Sequence, residues 1–262
     1  MKTTHSPGGL ALNRSRSRAP LLPGLLVLAL LTGGAGRAHA AAEVHKFSLV
    51  FSAIPSQIVG GDFNDTIDLV NKTGILPFGL EGLDKITYGW QFDAELRYFV
   101  RPNFAVAAGV GQLRSKSRRQ YSFSRIDDIT VTAEMLSAPV HLGGDYYFTP
   151  YNQGDFQARA YVGGGLLNLT STHASITTVR ETTVNPGTST SLWAGDATGW
   201  YTEFGAHMFF AVRYSVMLGA IYRSAVVGNT AYYANGQLVS NYGGRNIDMG
   251  GAGARMSLAV GF

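Results

Sequence analysis

Between Thr87 and Val100 the side chains alternate without a break. Tyr88, Trp90, Phe92, Ala94, Leu96 and Tyr98 fall on one parity, and Gln91, Asp93, Glu95 and Arg97 on the other. Successive side chains of a strand point to opposite faces, so one face of this segment is apolar and aromatic while the other is charged. A helix would mix the two sets around its circumference. The segment is a strand.

The pattern recurs along the chain. Phe47, Leu49, Phe51 and Ala53 alternate with Lys46, Ser48, Val50 and Ser52. Phe104, Val106, Ala108 and Val110 follow a short turn at Arg101–Asn103. Ala138 to Phe148, Ala158 to Leu166, Trp200 to Phe210, Val216 to Tyr222 and Ala254 to Phe262 repeat it. Eight such segments result, each near the 9–11 residues a tilted strand needs to cross a bilayer. No stretch after residue 40 is long and apolar enough for a membrane helix. The 33 Gly, 13 Tyr and 14 Phe fit a chain of many strands.

The connections alternate in length. Pro55–Lys85, Ser117–Asp128, Asn168–Ala197 and Ala225–Asn246 read as long loops, and Arg101–Asn103, Thr149–Asp155 and Val212–Tyr214 as short turns. Outer-membrane barrels have even strand numbers, short periplasmic turns and longer extracellular loops. A soluble sandwich has no reason to sort its loops this way. A water-soluble ligand-binding barrel would carry its apolar residues inside, the reverse of the pattern around Tyr88–Tyr98.

Residues Met1 to Arg18 carry Lys2, Arg14, Arg16 and Arg18 with no acid, followed by a leucine-rich run from Ala19 to Leu31 and by Ala38-His39-Ala40. A basic start, a short apolar stretch and a small-x-small exit are the parts of a secretory signal. The run is too short for a membrane-spanning helix, which needs roughly 20 apolar residues, and Pro23 and Gly24 break it. Residues 1–40 are therefore expected to be removed, leaving a barrel domain over 41–262. Five of the 21 Lys and Arg lie in that leader with none of the 17 acids, so the remainder has 16 bases against 17 acids. The basic balance of the whole chain is thus a property of its leader, and no nucleic-acid partner is expected. Without Cys there is no disulfide framework, no thiolate metal site and no lipid-modified cysteine.

At the C-terminus Met256, Leu258, Val260 and the final Phe262 alternate with Arg255, Ser257, Ala259 and Gly261. This resembles the terminal signal by which the barrel assembly machinery recognises outer-membrane barrels. With the leader and the strand pattern, the mature chain is similar along its length to the OmpA/OmpX-like eight-stranded barrel superfamily. The resemblance implies an all-β fold, a membrane-spanning antiparallel up-and-down barrel of eight strands in the outer membrane of a Gram-negative bacterium. It implies a monomer in contact with lipid and lipopolysaccharide, and it carries no specific activity. No peptidoglycan-binding domain is expected after the barrel.

With even-numbered residues facing lipid from Tyr88 onward, the lumen receives Asp93, Glu95, Asp145 and Glu203 together with Arg97, Arg159, Arg223 and Arg255. Charges withdrawn from water persist when paired, and eight strands leave an interior just wide enough for side chains to fill it. A salt-bridged plug is expected. His141 and His207 also point inward, as hydrogen-bonding members of that lumen. Two His without a patterned third ligand do not make a metal site, and neither metal nor cofactor is expected.

Enzymes of this class that act on lipids use a Ser or Asp activated by His within reach of the lipid. The one such spacing here is His173-Ala174-Ser175, with Glu181 as a third candidate. Continued from Tyr161, the odd parity of both residues places them inside, away from lipid, so no catalytic role is expected. Gly109-Val110-Gly111, Gly163-Gly164-Gly165 and Gly250-Gly251-Ala252-Gly253 introduce no helix and are read as close strand packing or bends. Pro139, without an N–H for the ladder, points to a bulge in the fourth strand. A phase change there would turn Glu134 inward or lift it past the membrane.

In the second loop Arg114, Lys116, Arg118, Arg119 and Arg125, interleaved with Tyr121 and Phe123, are candidate contacts for lipopolysaccharide phosphates. In the first, Asp62, Asn64, Asp65 and Asp68 resemble a cation loop, but Ile67 stands where an EF-hand needs Gly. The expected role is structural or surface-interacting, through long extracellular loops above a plugged lumen. The alternative is a narrow channel or transporter for small or hydrophobic solutes.

Overall fold

A computed structural model describes residues 45–262 except 125–126, 154–155, 183–185 and 211–212. The expected leader lies outside the described residues. Eight antiparallel strands form the wall: β1 Phe47–Gln57, β2 Tyr88–Arg101, β3 Phe104–Ser124, β4 Asp127–Tyr147, β5 Phe156–Glu181, β6 Gly187–Phe209, β7 Tyr214–Ser224 and β8 Gly251–Gly261. Each pairs with its sequence neighbour, and β8 pairs with β1 from Gly261↔Ser48 to Gly253↔Ser56. The sheet closes on itself into an eight-stranded up-and-down barrel.

Alternation sets the faces. Leu49, Phe51, Trp90, Phe92, Leu96, Val110, Leu142, Leu166, Phe204, Leu218 and Leu258 are exposed, while the residues between them on the same strands are mostly buried. Aromatics gather at both ends of this belt. Phe47, Tyr98, Phe148, Phe210, Tyr214 and Phe262 lie at the end of the short turns, and Tyr88, Trp90, Trp200 and Tyr222 at the other. From Tyr88 to Tyr98 the strand runs about 33 Å. At the tilt usual in such barrels this spans about 25 Å of height, matching the apolar band of an outer-membrane barrel.

Two of the expected long loops are strand instead. β3 with β4 and β5 with β6 continue well past the belt as paired hairpins, the first up to Ser124↔Asp127 and the second up to Arg180↔Gly187. Their outer faces carry Arg, Lys and Thr, since water rather than lipid lies outside, and the strong apolar alternation that marks the membrane segment disappears. A further hairpin, Ala231–Ala234 with Gln237–Ser240, adds to β6 and widens this wall.

The expected bulge lies on a different strand. Around Pro139 the ladder to β3 lapses but resumes in the same register, from Val140↔Val110 to Ser137↔Leu113. The extra residue is on β5, where the register shifts against both β4 and β6 and Ser171 adopts a left-handed φ of 50°. β4 keeps its phase, with Val131, Ala133, Met135, Ser137, His141, Asp145 and Tyr147 all inward. Glu134 therefore faces out, above the belt, against Arg114 at 2.6 Å.

The first long connection folds into the barrel mouth. Helix α1, Asp62–Val70, starts after Gly61 and has Asp62 and Asp65 in its first turn, where carboxylates suit the helix dipole. Its Phe63 and Ile67 are buried, and Ile75, Leu83 and Ile86 follow them inward. The returning chain is held by two asparagines. Asn64 gives Nδ2 to the Ile86 carbonyl at 2.9 Å and accepts its N–H at 2.9 Å. Asn71 makes the same reciprocal pair with Leu83, at 2.9 and 2.8 Å. The carboxylates that resemble a cation loop are spent separately: Asp62 accepts the Asn246 N–H, and Asp68 pairs with Lys85 at 2.8 Å. That pairing raises the Lys85 ammonium above its usual range.

Candidate functional site

The lumen is filled in three tiers. Nearest the short turns, Val50, Phe99, Ala105, Tyr147, Tyr161, Met217 and Ala259 form a small core. Toward the long hairpins, α1 and its return pack on Leu113, Met135, Leu169, Ile176 and Trp193 in a larger one. Charge fills the middle of the lipid-facing stretch, above a small apolar tier at the short turns, while the interior under the water-exposed hairpins is apolar.

Between the two lies a buried charge layer. Arg97, fully buried, contacts Glu95 Oε1 at 2.6 Å, Asp145 Oδ2 at 3.1 Å and Glu203 Oε1 at 3.6 Å. Arg255 reaches Glu95 Oε2 at 3.1 Å and pairs closely with Glu203 Oε2. Its Nε donates to Ser52 and Ser257, each at 3.2 Å. Arg97 also donates to the Tyr147 hydroxyl at 2.5 Å. A buried salt-bridge network therefore crosses the barrel, tying β2, β4, β6 and β8. Removing water from such pairs is costly, and they hold only with near-complete hydrogen bonding.

All eight charged residues assigned to the lumen from parity are buried, but they do not form one network. Arg159 donates to Gln157 Oε1 and to the Pro102 carbonyl near the short turns. Arg223 donates to the Met249 carbonyl, Ser56 Oγ and Gln91 Oε1 under the hairpins. Asp93 faces His141, whose Nδ1 is 3.6 Å from Asp93 Oδ1 and whose Nε2 is 3.1 Å from Glu95 Oε2. His207 bonds Ser215 Oγ at 2.7 Å. Tyr147, Tyr161 and Tyr201, which complete the layer, share the inward parity but lack charge, and a search for ionic residues passes over them.

Inward glycines make the room. A Cβ on Gly109 would lie 2.5 Å from the His141 ring, and one on Gly111 would lie 2.8 Å from Asp93 Oδ1. One on Gly163 would collide with the Asp145 carboxylate, and one on Gly143 with the Tyr201 hydroxyl. Backbone permissiveness explains none of these four. They leave the volume that the charged side chains occupy.

Outside the membrane the basic cluster divides by parity. Arg114, Lys116 and Arg118 project outward along β3, and Arg114 is the register partner of Trp90 in the upper aromatic ring. Beyond Arg114, β3 pairs only with β4 among the described residues, so its other edge is open. Arg119 turns the other way, to Glu81 at 2.9 Å and Asp84 at 3.2 Å on the returning first loop. Beside it Tyr121 donates to the Glu81 carbonyl at 2.7 Å, and burial pushes its phenol up. Arg125 lies outside the described residues.

The bulge at Ser171 also corrects the expected placement of His173 and Ser175. It swaps the phase of β5, so Ala174 and Ile176 point inward and His173 and Ser175 outward. His173 Nδ1 lies 3.3 Å from the Ser171 carbonyl, and Glu181 pairs across the sheet with Asp128. At the C-terminus Met256, Leu258 and Phe262 are exposed on the lipid face with the half-buried Val260, and Phe262 donates its N–H to the Phe47 carbonyl at 3.0 Å.

An exposed apolar belt edged by aromatic rings, buried charges within and a closed ladder together define a barrel that sits in lipid. The even strand count, with short turns at one rim and long hairpins at the other, is that of the bacterial outer membrane. The architecture is an eight-stranded up-and-down barrel of outer-membrane type.

No family model and no curated protein sequence matches the chain. Among solved structures it is similar to Neisserial surface protein A, at 13% identity over 84% of this chain and 99% of that one, with a TM-score of 0.41. It is similar to the outer membrane protein OprG from Pseudomonas aeruginosa at 8% identity, 84% and 97% coverage and a TM-score of 0.42. It is also similar to the outer membrane protease OmpT from Escherichia coli at 12% identity, 82% and 95% coverage and a TM-score of 0.39.

Proposed function

We propose that this barrel works at the cell surface as a structural and surface-interaction protein, with its lumen closed and its extracellular β-wall binding anionic partners. The partner we assign is the phosphate of lipopolysaccharide, and Arg114, Lys116 and Arg118 bind it. One observation carries this reading. Three outward cations stand at every second position of an open-edged strand, and the row begins beside Trp90 at the membrane interface. Their spacing of about 7 Å along the strand suits a run of phosphates at the lipid surface, which Arg can grip with two parallel hydrogen bonds. Glu134 holds Arg114 in place, while Lys116 and Arg118 have no ion-pair partner among the described residues. Tight packing across the lumen weighs against a solute path. The out-facing Met256, Leu258, Val260 and Phe262 are the surface we assign to the barrel assembly machinery.

Binding to lipopolysaccharide and to its dephosphorylated form, measured on the detergent-folded protein, tests the reading. Each cation near an anionic lipid surface is worth about 1 kcal/mol. The triple variant Arg114→Ala, Lys116→Ala, Arg118→Ala is therefore expected to bind about 100-fold more weakly. Equal binding by wild type and triple variant, or equal binding of both lipid forms, would contradict it.

A further inference from the structure

The charge layer holds one carboxylate that no guanidinium serves. Arg97 and Arg255 share Glu95, Asp145 and Glu203. Asp93 has neither, and its Oδ1 accepts no hydrogen bond. Asp93 and His141 are only 7% and 8% exposed. Both line a cavity of about 20 Å³, measured for the centre of a water-sized sphere, whose walls include Gln91, Tyr201, Arg223 and Arg255. Arg223 is already spent on Ser56, Gln91 and the Met249 carbonyl. Among the described residues the neighbour of Asp93 at ion-pair distance is His141, at 3.6 Å and without a hydrogen bond to Oδ1. A buried carboxylate so weakly paired is costly, so the cavity suits a further cation.

We infer that the cavity is a site for a divalent first-row transition metal, bound by Asp93 Oδ1 and His141 Nδ1 and completed by water. One donor atom from each of Asp93, Glu95 and His141 lies within 4.8 Å of the others. Two ligands of a tetrahedral ion with bonds of 2.0–2.1 Å stand about 3.4 Å apart, and Asp93 Oδ1 and His141 Nδ1 are separated by 3.6 Å. Glu95 Oε2, 3.1 Å from Nε2, takes the other ring N–H and turns the Nδ1 lone pair toward Asp93. Ligating histidines are commonly oriented by such a second carboxylate. Imidazole nitrogen favours zinc and its neighbours over calcium or magnesium. The cavity admits a water-sized sphere, and Gly109 and Gly111 leave room for the His141 ring and the Asp93 carboxylate that line it.

The inference is independent of lipopolysaccharide binding. Its test is elemental analysis of detergent-folded protein exposed to Zn²⁺ and then desalted, for wild type, Asp93→Asn and His141→Gln, each checked for a heat-modifiable band. Wild type is expected to retain about one zinc per chain, and the variants less than roughly a tenth of that. X-ray absorption at the zinc edge of wild type alone needs no variant to fold, and is expected to show nitrogen and oxygen ligands at about 2.0–2.2 Å. Zinc no higher in wild type than in Asp93→Asn, or an absorption spectrum of fully hydrated zinc, would overturn the site. Asp93 and His141 would then form a closed ion pair.

Discussion

Arg97 Nη2 lies 3.1 Å from Asp145 Oδ2 across the interior, joining β2 to β4 through two side chains that water does not reach. Replacing Arg97 by Met leaves Asp145, and part of Glu95 and Glu203, without their cation. Breaking one side of such a buried pair costs about 3–5 kcal/mol. Urea unfolding in detergent or lipid, followed by band mobility, is expected to show a loss of that size. A loss under about 1 kcal/mol, the size typical of exposed pairs, would mean the layer is hydrated.

Gly163 offers a test of the room made for these charges. A Cβ there meets the Asp145 carboxylate and lies 3.0 Å from the Gly144 carbonyl. Overpacking of this kind costs about 1–3 kcal/mol, so Gly163→Ala should unfold at lower urea. Gly187, where nothing lies within 4 Å of an added Cβ, serves as the control and should tolerate Ala.

The lipid face can be tested at Leu142, which is 58% exposed and lies midway along the membrane-spanning part of β4, from Ala138 to Tyr146. An Arg near the bilayer midplane of a barrel costs about 2–4 kcal/mol. Leu142→Arg is therefore expected to lower folding yield into vesicles and stability within them. A barrel whose outer face met water would accept the change with little effect.

The folded-in first loop rests on Asn64, whose side chain makes three bonds to the backbone, to Val59 and twice to Ile86. Asn64→Ala leaves buried backbone groups unpaired, at about 1–3 kcal/mol each. Because the barrel ladder does not depend on them, the expected result is local. Proteolysis between Gly60 and Thr87 should quicken while heat-modifiable mobility is retained.

The membrane barrel was legible in the sequence because lipid imposes a strong rule on every second side chain. Tyr88 to Tyr98 carries that rule openly, and parity alone places Asp93, Glu95 and Arg97 inside. Above the membrane the rule weakens. Between Arg114 and Gln120 both parities are polar, so the continuation of β3 reads as loop, although its backbone pairs with β4 throughout. His173 and Ser175 were misplaced by parity because a single extra residue at Ser171 reverses every side chain after it. Ser171 carries no glycine or proline cue, and its left-handed backbone is invisible in the sequence. The fold of the first loop was also hidden. Asn64 reads as one of the residues that resemble a cation loop and Asn71 falls in the long Pro55–Lys85 connection, whereas they hydrogen-bond to a segment 22 and 12 residues further on.

The most direct test of a closed lumen is single-channel recording of the folded protein in a planar bilayer. The two apolar tiers and the Arg97–Arg255 charge layer between them predict a silent membrane, with no discrete current steps. A stable, ion-selective current that disappears when Glu95 or Arg255 is replaced would contradict the closed lumen and make the charge layer the lining of a pore.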